Sequence, residues 1–202
     1  MGAGEILAGV AAAAIGGLYI RSRGGDYRTA VSDVDGQTYL VLKLPDHTEA
    51  ADAMARLNER AESLIARIGA VHPDDPRSSR VAYRYKRTSL SEGGLEEGAT
   101  SYSVNKGQSI VLCLRSKGSD GALGRVQDLN TLTYVVIHEL AHLSTDEIGH
   151  TKEFWDNFRF LLEEAVEIGV YEHVDYSSRP AGYCGITIKS NALGSRPPGG
   201  GD

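Results

Sequence analysis

Three histidines and a glutamate lie close together in the sequence and could form a metal-dependent hydrolytic site. The stretch from His138 to His150 reads HELAHLSTDEIGH, which contains the pattern H-E-x-x-H followed by a third histidine. A helix turns about 100° per residue, so His138 and His142 project from nearly the same side and can hold one ion between them. Glu139 lies next to His138, where a carboxylate can act as the general base of a zinc hydrolase. The motif therefore predicts a Zn²⁺ site with Glu139 as its catalytic residue.

A catalytic zinc ion usually takes three protein ligands and leaves the fourth position open. The candidate for the third ligand is His150, eight residues after His142 and directly after Gly149, which lets the backbone turn back towards the ion. This spacing differs from the metzincin pattern, so the sequence excludes a metzincin. His150 is favoured because imidazole is a usual zinc donor. The rival oxygen ligands are three nearby acids: Asp146, Glu147 and Glu153.

The metal motif lies at the end of a predicted amphipathic helix. Large apolar residues recur at helical spacing on the face opposite the histidines: Leu132, Val136, Leu140 and Leu143. Either Asp128 or Asn130 can cap the start of this helix. A second amphipathic helix is predicted over residues 152–168, where Phe154 and Phe158 are spaced to pack on the first. The two helices would place the third histidine at the junction between them.

These residues resemble a known family. The run HELAH, the histidine after Gly149, and the sequence KEFW from Lys152 are similar to the WLM and SprT-like group of small zinc peptidases. Residues 101–107, 110–115 and 183–186 look like WLM-like metallopeptidases found in large DNA viruses and algae. The resemblance covers about residues 37–191, and the seven-residue spacer between the second and third histidines is longer than the commonest WLM spacing.

The resemblance implies a small α+β zincin-like domain with a short β-sheet, the HExxH helix and a second packing helix. The uncharged run at residues 6–20 adds an N-terminal hydrophobic helix to this expectation. Residues 101–104 and 109–115 read as a β-hairpin around Asn105-Lys106-Gly107. In zincin-type peptidases the strand before the metal helix is commonly an edge strand. The strand that begins at Ser109 and ends at Arg115 occupies this place, so we expect a protein or peptide substrate to bind along it by strand addition.

The chain divides into four predicted parts. Residues 1–23 contain an uncharged run, residues 6–20, which we interpret as a single N-terminal membrane anchor that keeps the domain on the cytoplasmic side. A buried or partner-binding helix is the alternative. Residues 24–36 read as a linker, residues 37–191 as the catalytic domain, and residues 192–202, rich in Pro and Gly, as a disordered tail.

The chain of 202 residues, of which 41% are hydrophobic, is long enough for one catalytic domain with short appendages. The net charge of −6 is spread over the sequence without an acidic block and gives no electrostatic footprint for nucleic acid, so no nucleic-acid partner is expected. The only two cysteines are Cys113 and Cys184. They read most simply as reduced, buried thiols, and a mutual disulfide or a thiol near the metal is the alternative.

The predicted reaction is hydrolysis of a peptide bond. Four residues after the second helix could donate a hydrogen bond to the developing oxyanion, and the sequence does not choose among them: Tyr171, His173, Tyr176 and Tyr183. The acids that could orient a ligand histidine are Asp146, Asp156 and Asp175. Two other functions fit the motif. One is a membrane-associated structural or virion protein that keeps the fold with little turnover, and the other is a hydrolase of a non-peptide amide.

Overall fold

The computed structural model describes residues 25–93, 100–118, 121–190 and 192–194. Over these residues the chain is an α+β protein with four α-helices and nine β-strands in three sheets. The largest sheet has five strands: β1 (Tyr27–Val31), β2 (Thr38–Leu42), β3 (Leu90–Gly93), β4 (Tyr102–Val104) and β5 (Ser109–Cys113). The spatial order is β1-β2-β3-β5-β4. β2, β3 and β5 run parallel, while β1 and β4 pair antiparallel at the two edges.

Four helices and two hairpins complete the fold. The helices are α1 (His47–Val71), α2 (Pro76–Arg84), α3 (Leu129–Ser144) and α4 (Lys152–Glu167), and a 3₁₀ turn covers Arg87–Ser89. One hairpin pairs β6 (Arg115–Lys117) with β7 (Leu123–Val126). The other pairs β8 (Ala181–Tyr183) with β9 (Ile186–Ile188).

Helix α3, which carries the first two histidines, lies at the centre of the fold. It contacts α1, α2, α4 and strand β4, whereas α1 covers β1, β2 and β3. The Asp128 carboxylate caps α3 by accepting a hydrogen bond of 2.8 Å from the Thr131 amide. Leu132, Val136, Leu140 and Leu143 are all buried, as the periodicity predicts. The apolar face of α3 therefore fixes the direction in which the opposite face points.

A buried ion-pair cluster joins the sheet to the start of α1. Arg115 is only 2% exposed, and its Nε donates to Glu92 at 2.7 Å while its Nη1 donates to Asp46 at 2.5 Å. The other Glu92 oxygen accepts the Leu42 amide at 2.7 Å. Asp46 occupies the N-cap position of α1, yet its side chain makes no capping hydrogen bond. The Arg115 hydrogen bond holds the pKa of Asp46 below its ordinary value.

The expected fold class and localisation are wrong in one respect. A fold with an N-terminal membrane helix was expected, but within residues 25–93, 100–118, 121–190 and 192–194 no helix is both long and apolar enough to cross a bilayer. A single N-terminal anchor, and a membrane-associated domain on the cytoplasmic side, therefore lack support. The hydrophobic run itself, residues 6–20, lies outside the described residues.

Three further differences concern the sheet and the tail. The expected linker, residues 24–36, contributes edge strand β1, which pairs with β2 from Tyr27↔Leu42 to Val31↔Thr38. The expected strand over residues 109–115 is two strands, since β5 ends at Cys113 and Arg115 begins β6 in another sheet. β5 is also interior, because it pairs with β3 and β4. Of the expected disordered tail, Ala192 is buried and residues 195–202 lie outside the described residues.

Candidate metal centre

The structure brings the three predicted histidines together. His138 and His142 project from α3 one turn apart, and His150 lies just before α4. Their three candidate ligand atoms all lie within 4.8 Å of one another, and the Nε2 atoms of His138 and His150 are 3.0 Å apart. Two imidazole nitrogens bound tetrahedrally to one zinc ion lie about 3.3 Å apart. The His138–His150 distance is therefore close to the spacing of two ligands on one ion, and the three histidines together could bind a metal ion.

A buried phenylalanine forms the floor of this cluster. The Phe154 ring lies 4.8 Å from the His138 ring, 4.4 Å from His142 and 4.6 Å from His150, measured between centroids. Phe154 is fully buried in the first turn of α4, so its packing against the three imidazoles restricts their positions. Trp155 is partly exposed and lies 6.0 Å from the His150 ring.

The electrostatic environment keeps the two helix histidines neutral. Burial lowers the pKa of His138 to about 3, with His142 and His150 adding to the effect. Burial, followed by His150 and then Lys106, lowers the pKa of His142 to about 4. Both rings are therefore unprotonated at neutral pH, which is the form that binds a metal ion.

Glu139 is buried beside this cluster. Its side chain is 3% exposed, and burial raises the pKa of its carboxyl to about 7 against a hydrogen bond from Ser103 that lowers it. Its Oε2 atom has no hydrogen-bond partner among the described residues. A carboxyl with one free oxygen and a pKa near neutrality can both accept and return a proton.

Two of the three rival oxygen ligands, Asp146 and Glu153, are held elsewhere. Both carboxylate oxygens of Asp146 face arginines, one on Arg84 at 2.7 Å and the other on Arg80. Glu153 lies 3.4 Å from the same Arg80. Neither acid belongs to the histidine cluster, which consists of imidazoles alone. A set of three imidazoles suits zinc, because nitrogen ligands fit this borderline ion better than they fit calcium or magnesium.

The acids expected to orient the ligand histidines have other partners. The Asp156 carboxylate accepts from Lys152 at 2.5 Å, and the Asp175 carboxylate accepts from the Ser177 amide and hydroxyl in its own turn. With Asp146 held by Arg80 and Arg84, each of the three expected acids is engaged away from the imidazoles.

The structure separates the candidate oxyanion donors. Tyr176 reaches Thr131 at the start of α3, and the Tyr171 hydroxyl accepts the Val174 amide. The Tyr183 hydroxyl instead meets the Ser101 hydroxyl, and the charge of Glu139 adds to the burial that raises the pKa of Tyr183. Of the three tyrosines, Tyr183 is the one with an electrostatic link to Glu139.

A disulfide holds the hairpin that carries Tyr183. Cys113 at the end of β5 bonds to Cys184 between β8 and β9, with 5.9 Å between their Cα atoms. The simpler expectation of two reduced thiols is therefore wrong in this structure. A cavity of about 280 Å³ lies beside the disulfide bond and is lined by residues of the β6–β7 and β8–β9 hairpins. Neither Glu139 nor any of the three histidines lines it.

Sequence reasoning missed two parts of the site. Ser103, on edge strand β4, hydrogen-bonds the Glu139 carboxylate, and Lys106, in the β4–β5 turn, contacts the segment before His150. The sequence offered only the turn signal Asn105-Lys106-Gly107 for this region. A turn signal predicts a change of chain direction and carries no information about which distant loop the turn will meet.

Comparison with known proteins identifies viral relatives. Uncharacterized protein R325 of Acanthamoeba polyphaga mimivirus is 34% identical over 166 residues, which cover 80% of this chain and 82% of the relative. Uncharacterized protein 136R of Invertebrate iridescent virus 6 is 41% identical over 86 residues, 43% of this chain and 47% of the relative. Uncharacterized protein 042R of Invertebrate iridescent virus 3 is 42% identical over 76 residues, 38% of this chain and 45% of the relative. No family model and no solved structure matches the chain.

Proposed function

The chain belongs to the family of uncharacterized protein R325 of Acanthamoeba polyphaga mimivirus, and we propose that it is a zinc-dependent metallopeptidase. In this proposal one zinc ion is held by His138, His142 and His150, and Glu139 is the general base. The proposal includes membership of the WLM and SprT-like group, on the motif resemblance alone. The observation that carries it is three clustered imidazoles beside a buried glutamate with one free oxygen.

When bound, zinc polarises a carbonyl and lowers the pKa of a coordinated water towards neutrality. The chain supplies three neutral nitrogen donors, because burial lowers the pKa of His138 and His142 well below 7. Phe154 limits the movement of all three imidazoles. The protein therefore has a donor set that needs little rearrangement to bind the ion.

Glu139 moves the protons in this mechanism. Its unpartnered Oε2 accepts a proton from the attacking water and returns it to the leaving amine of the cleaved peptide. A pKa of about 7 suits both transfers at neutral pH, because comparable fractions of the carboxyl are then ionised and protonated. The Ser103 hydrogen bond fixes the orientation of the carboxylate.

The sheet supports an extended polypeptide as substrate. β4 is the terminal strand beside β5, and its central residue, Ser103, contacts Glu139. A peptide that added to β4 would lie beside the strand whose Ser103 contacts the general base. In this proposal the substrate-binding role expected for residues 109–115 belongs to β4 instead, because β5 already pairs on both sides.

The test compares wild-type protein with Glu139→Gln. Glu139 is not among the clustered metal donors, so the variant should retain wild-type zinc content while losing on the order of 10²-fold or more in hydrolysis of an unfolded, fluorescently labelled protein. Zinc is measured by elemental analysis and the fold by circular dichroism.

Two outcomes would contradict the proposal. A Glu139→Gln protein as active as the wild type would remove the general base from the mechanism. A zinc-loaded wild type that cleaves no unfolded protein or peptide would favour a structural role for the fold, the alternative that the sequence leaves open.

A further inference from the structure

The chain that leads into His150 has little packing to hold it in place after Thr145. Residues 146–150 are all exposed, and Ile148 is 91% exposed. Gly149 adopts a φ of +88°, which turns the backbone towards the cluster. An exposed loop of this length has many accessible conformations, so the position of His150 must be fixed by contacts from outside the loop.

Lys106 supplies three of these contacts. Its ammonium group donates to the Thr145 carbonyl at 2.7 Å, to the Asp146 carbonyl at 3.3 Å and to the Glu147 carbonyl at 3.0 Å. An ammonium group has three donors, and here three successive backbone carbonyls accept them. One side chain thus fixes the path of the backbone immediately after α3.

Two arginines from α2 also hold the same segment, where it leaves α3. Arg84 donates to the Leu143 carbonyl at 2.7 Å and to the Thr145 carbonyl at 3.3 Å, both at the carboxyl end of α3. Arg84 also pairs with the Asp146 carboxylate at 2.7 Å, and Arg80 pairs with its second oxygen. These contacts satisfy carbonyls that a helix end leaves without internal partners.

The turn that carries Lys106 is itself closely fitted to α2. Gly107 has a φ of +100°, and a Cβ atom at this position would lie 2.5 Å from the Arg84 carbonyl oxygen. The Gly107 amide donates to the Val104 carbonyl at 3.2 Å, which closes the turn after β4. The lysine therefore starts from a backbone position that cannot shift towards α2 without a clash.

We propose that Lys106 is a positioning residue for the third metal ligand: by holding the carbonyls of residues 145–147, it keeps His150 within coordinating distance of His138 and His142. Arg84 and Arg80 assist by fixing Asp146. The inference rests on the proposed zinc site, and it assigns the long spacer a specific anchor outside the metal motif. Residues that orient ligands in this way typically change metal affinity about 10- to 100-fold when they are removed.

The experiment measures zinc release from Lys106→Met, Lys106→Arg and the control Lys152→Met. Lys152 is an exposed lysine close to His150 in sequence. Within the part of the chain that the structure describes, its ammonium pairs with Asp156 on its own helix, so its removal tests for loss of charge alone. Release is followed with a chelating dye, and the geometry of the site is followed by the visible spectrum of the Co²⁺-substituted protein. The thermal stability of each metal-free variant shows whether it is folded.

Lys106→Met should release zinc at least about tenfold faster than the wild type and alter the Co²⁺ spectrum, with metal-free stability close to that of the wild type. Lys106→Arg should restore slow release, since it keeps the charge and the donors, and Lys152→Met should behave as wild type. Wild-type release and an unchanged spectrum in Lys106→Met would overturn this inference alone. A wild type that retains no zinc would overturn both this inference and the metal centre.

Discussion

At the scale of single residues, burial determines which ionisable side chains of the site carry a charge. Glu139 sits in a region where its ionised form is poorly solvated, which raises its pKa to about 7, and the Ser103 hydroxyl offsets part of that effect. Burial has the opposite effect on the two helix histidines, whose pKa values fall to about 3 and 4. One buried environment thus disfavours the charged form of both the base and the ligands at the same pH, and the neutral imidazoles that result are the form that binds a metal ion.

The raised pKa of Glu139 predicts that the metal-free protein becomes less stable as the pH rises. The folded-state pKa is about 7 and the ordinary value is 4.5, so the carboxyl contributes stability below pH 4.5 that is lost as the pH rises to 7. The free energy of unfolding of the wild type should therefore fall relative to that of Glu139→Gln by on the order of 1 to 3 kcal/mol between these pH values. His138 and His142 are present in both proteins, so the effect of their lowered pKa values cancels.

The measurement is urea unfolding of both proteins in the presence of a chelator, at several pH values between 4.5 and 7.5. A constant difference between the two unfolding free energies would show that the pKa of Glu139 is not raised by burial in the folded state.

At the scale of elements, the C-terminal hairpin depends on one covalent link. The β8–β9 hairpin places Tyr183 against Ser101, and the bond between Cys113 and Cys184 ties it to β5 across 71 residues of chain. Closing a loop of that length lowers the conformational entropy of the unfolded chain. In the simplest model this stabilises the folded state by about 4 kcal/mol. The hairpin has only three residues per strand, so its own pairing adds little to its stability.

Loss of the disulfide should therefore destabilise the protein. The double variant Cys113→Ala, Cys184→Ala is expected to unfold with a free energy about 2 to 4 kcal/mol lower than that of the wild type. Dithiothreitol should lower the melting temperature of the wild type and leave that of the double variant unchanged, which serves as the control. Equal effects of the reductant on both proteins would show that the cysteines are not paired in solution.

At the scale of the whole molecule, the metal centre joins the central helix to the helix that packs on it. His138 and His142 belong to α3, which contacts every other helix, and His150 immediately precedes α4. An ion bound by all three would hold the α3–α4 junction closed. Ligands that bind only the folded state stabilise it by mass action, by about 2.7 kcal/mol when the free ligand is 100 times its dissociation constant.

Zinc should therefore raise the melting temperature, and a chelator should reverse the change. His150→Ala is expected to lose most of this increment because only two ligands remain, whereas Glu147→Ala, an exposed acid in the same loop, should keep it. Differential scanning fluorimetry with and without zinc measures both variants. A full zinc increment in His150→Ala would show that His150 is not the third ligand.

Local sequence patterns were sufficient to predict the parts of the site that depend on local geometry. The i, i+4 spacing of His138 and His142 follows from the helical repeat, and the apolar residues of α3 and α4 fix which faces are buried. Asp128 was one of two predicted caps, and it is the one that bonds to the helix. These features concern residues within a few turns of one another, where periodicity and capping preferences act directly.

Contacts between distant segments are seen only in the folded structure. Three parallel strands place β5 inside the sheet and β4 at its edge, the expected linker became β1, and the cysteines paired across 71 residues. The anchor of the His150 loop, Lys106, comes from a turn 39 residues before Thr145. Hydrophobic runs and turn signals specify elements but not their partners. Strand order and side-chain contacts between remote segments are set by packing of the whole core, which no local pattern encodes.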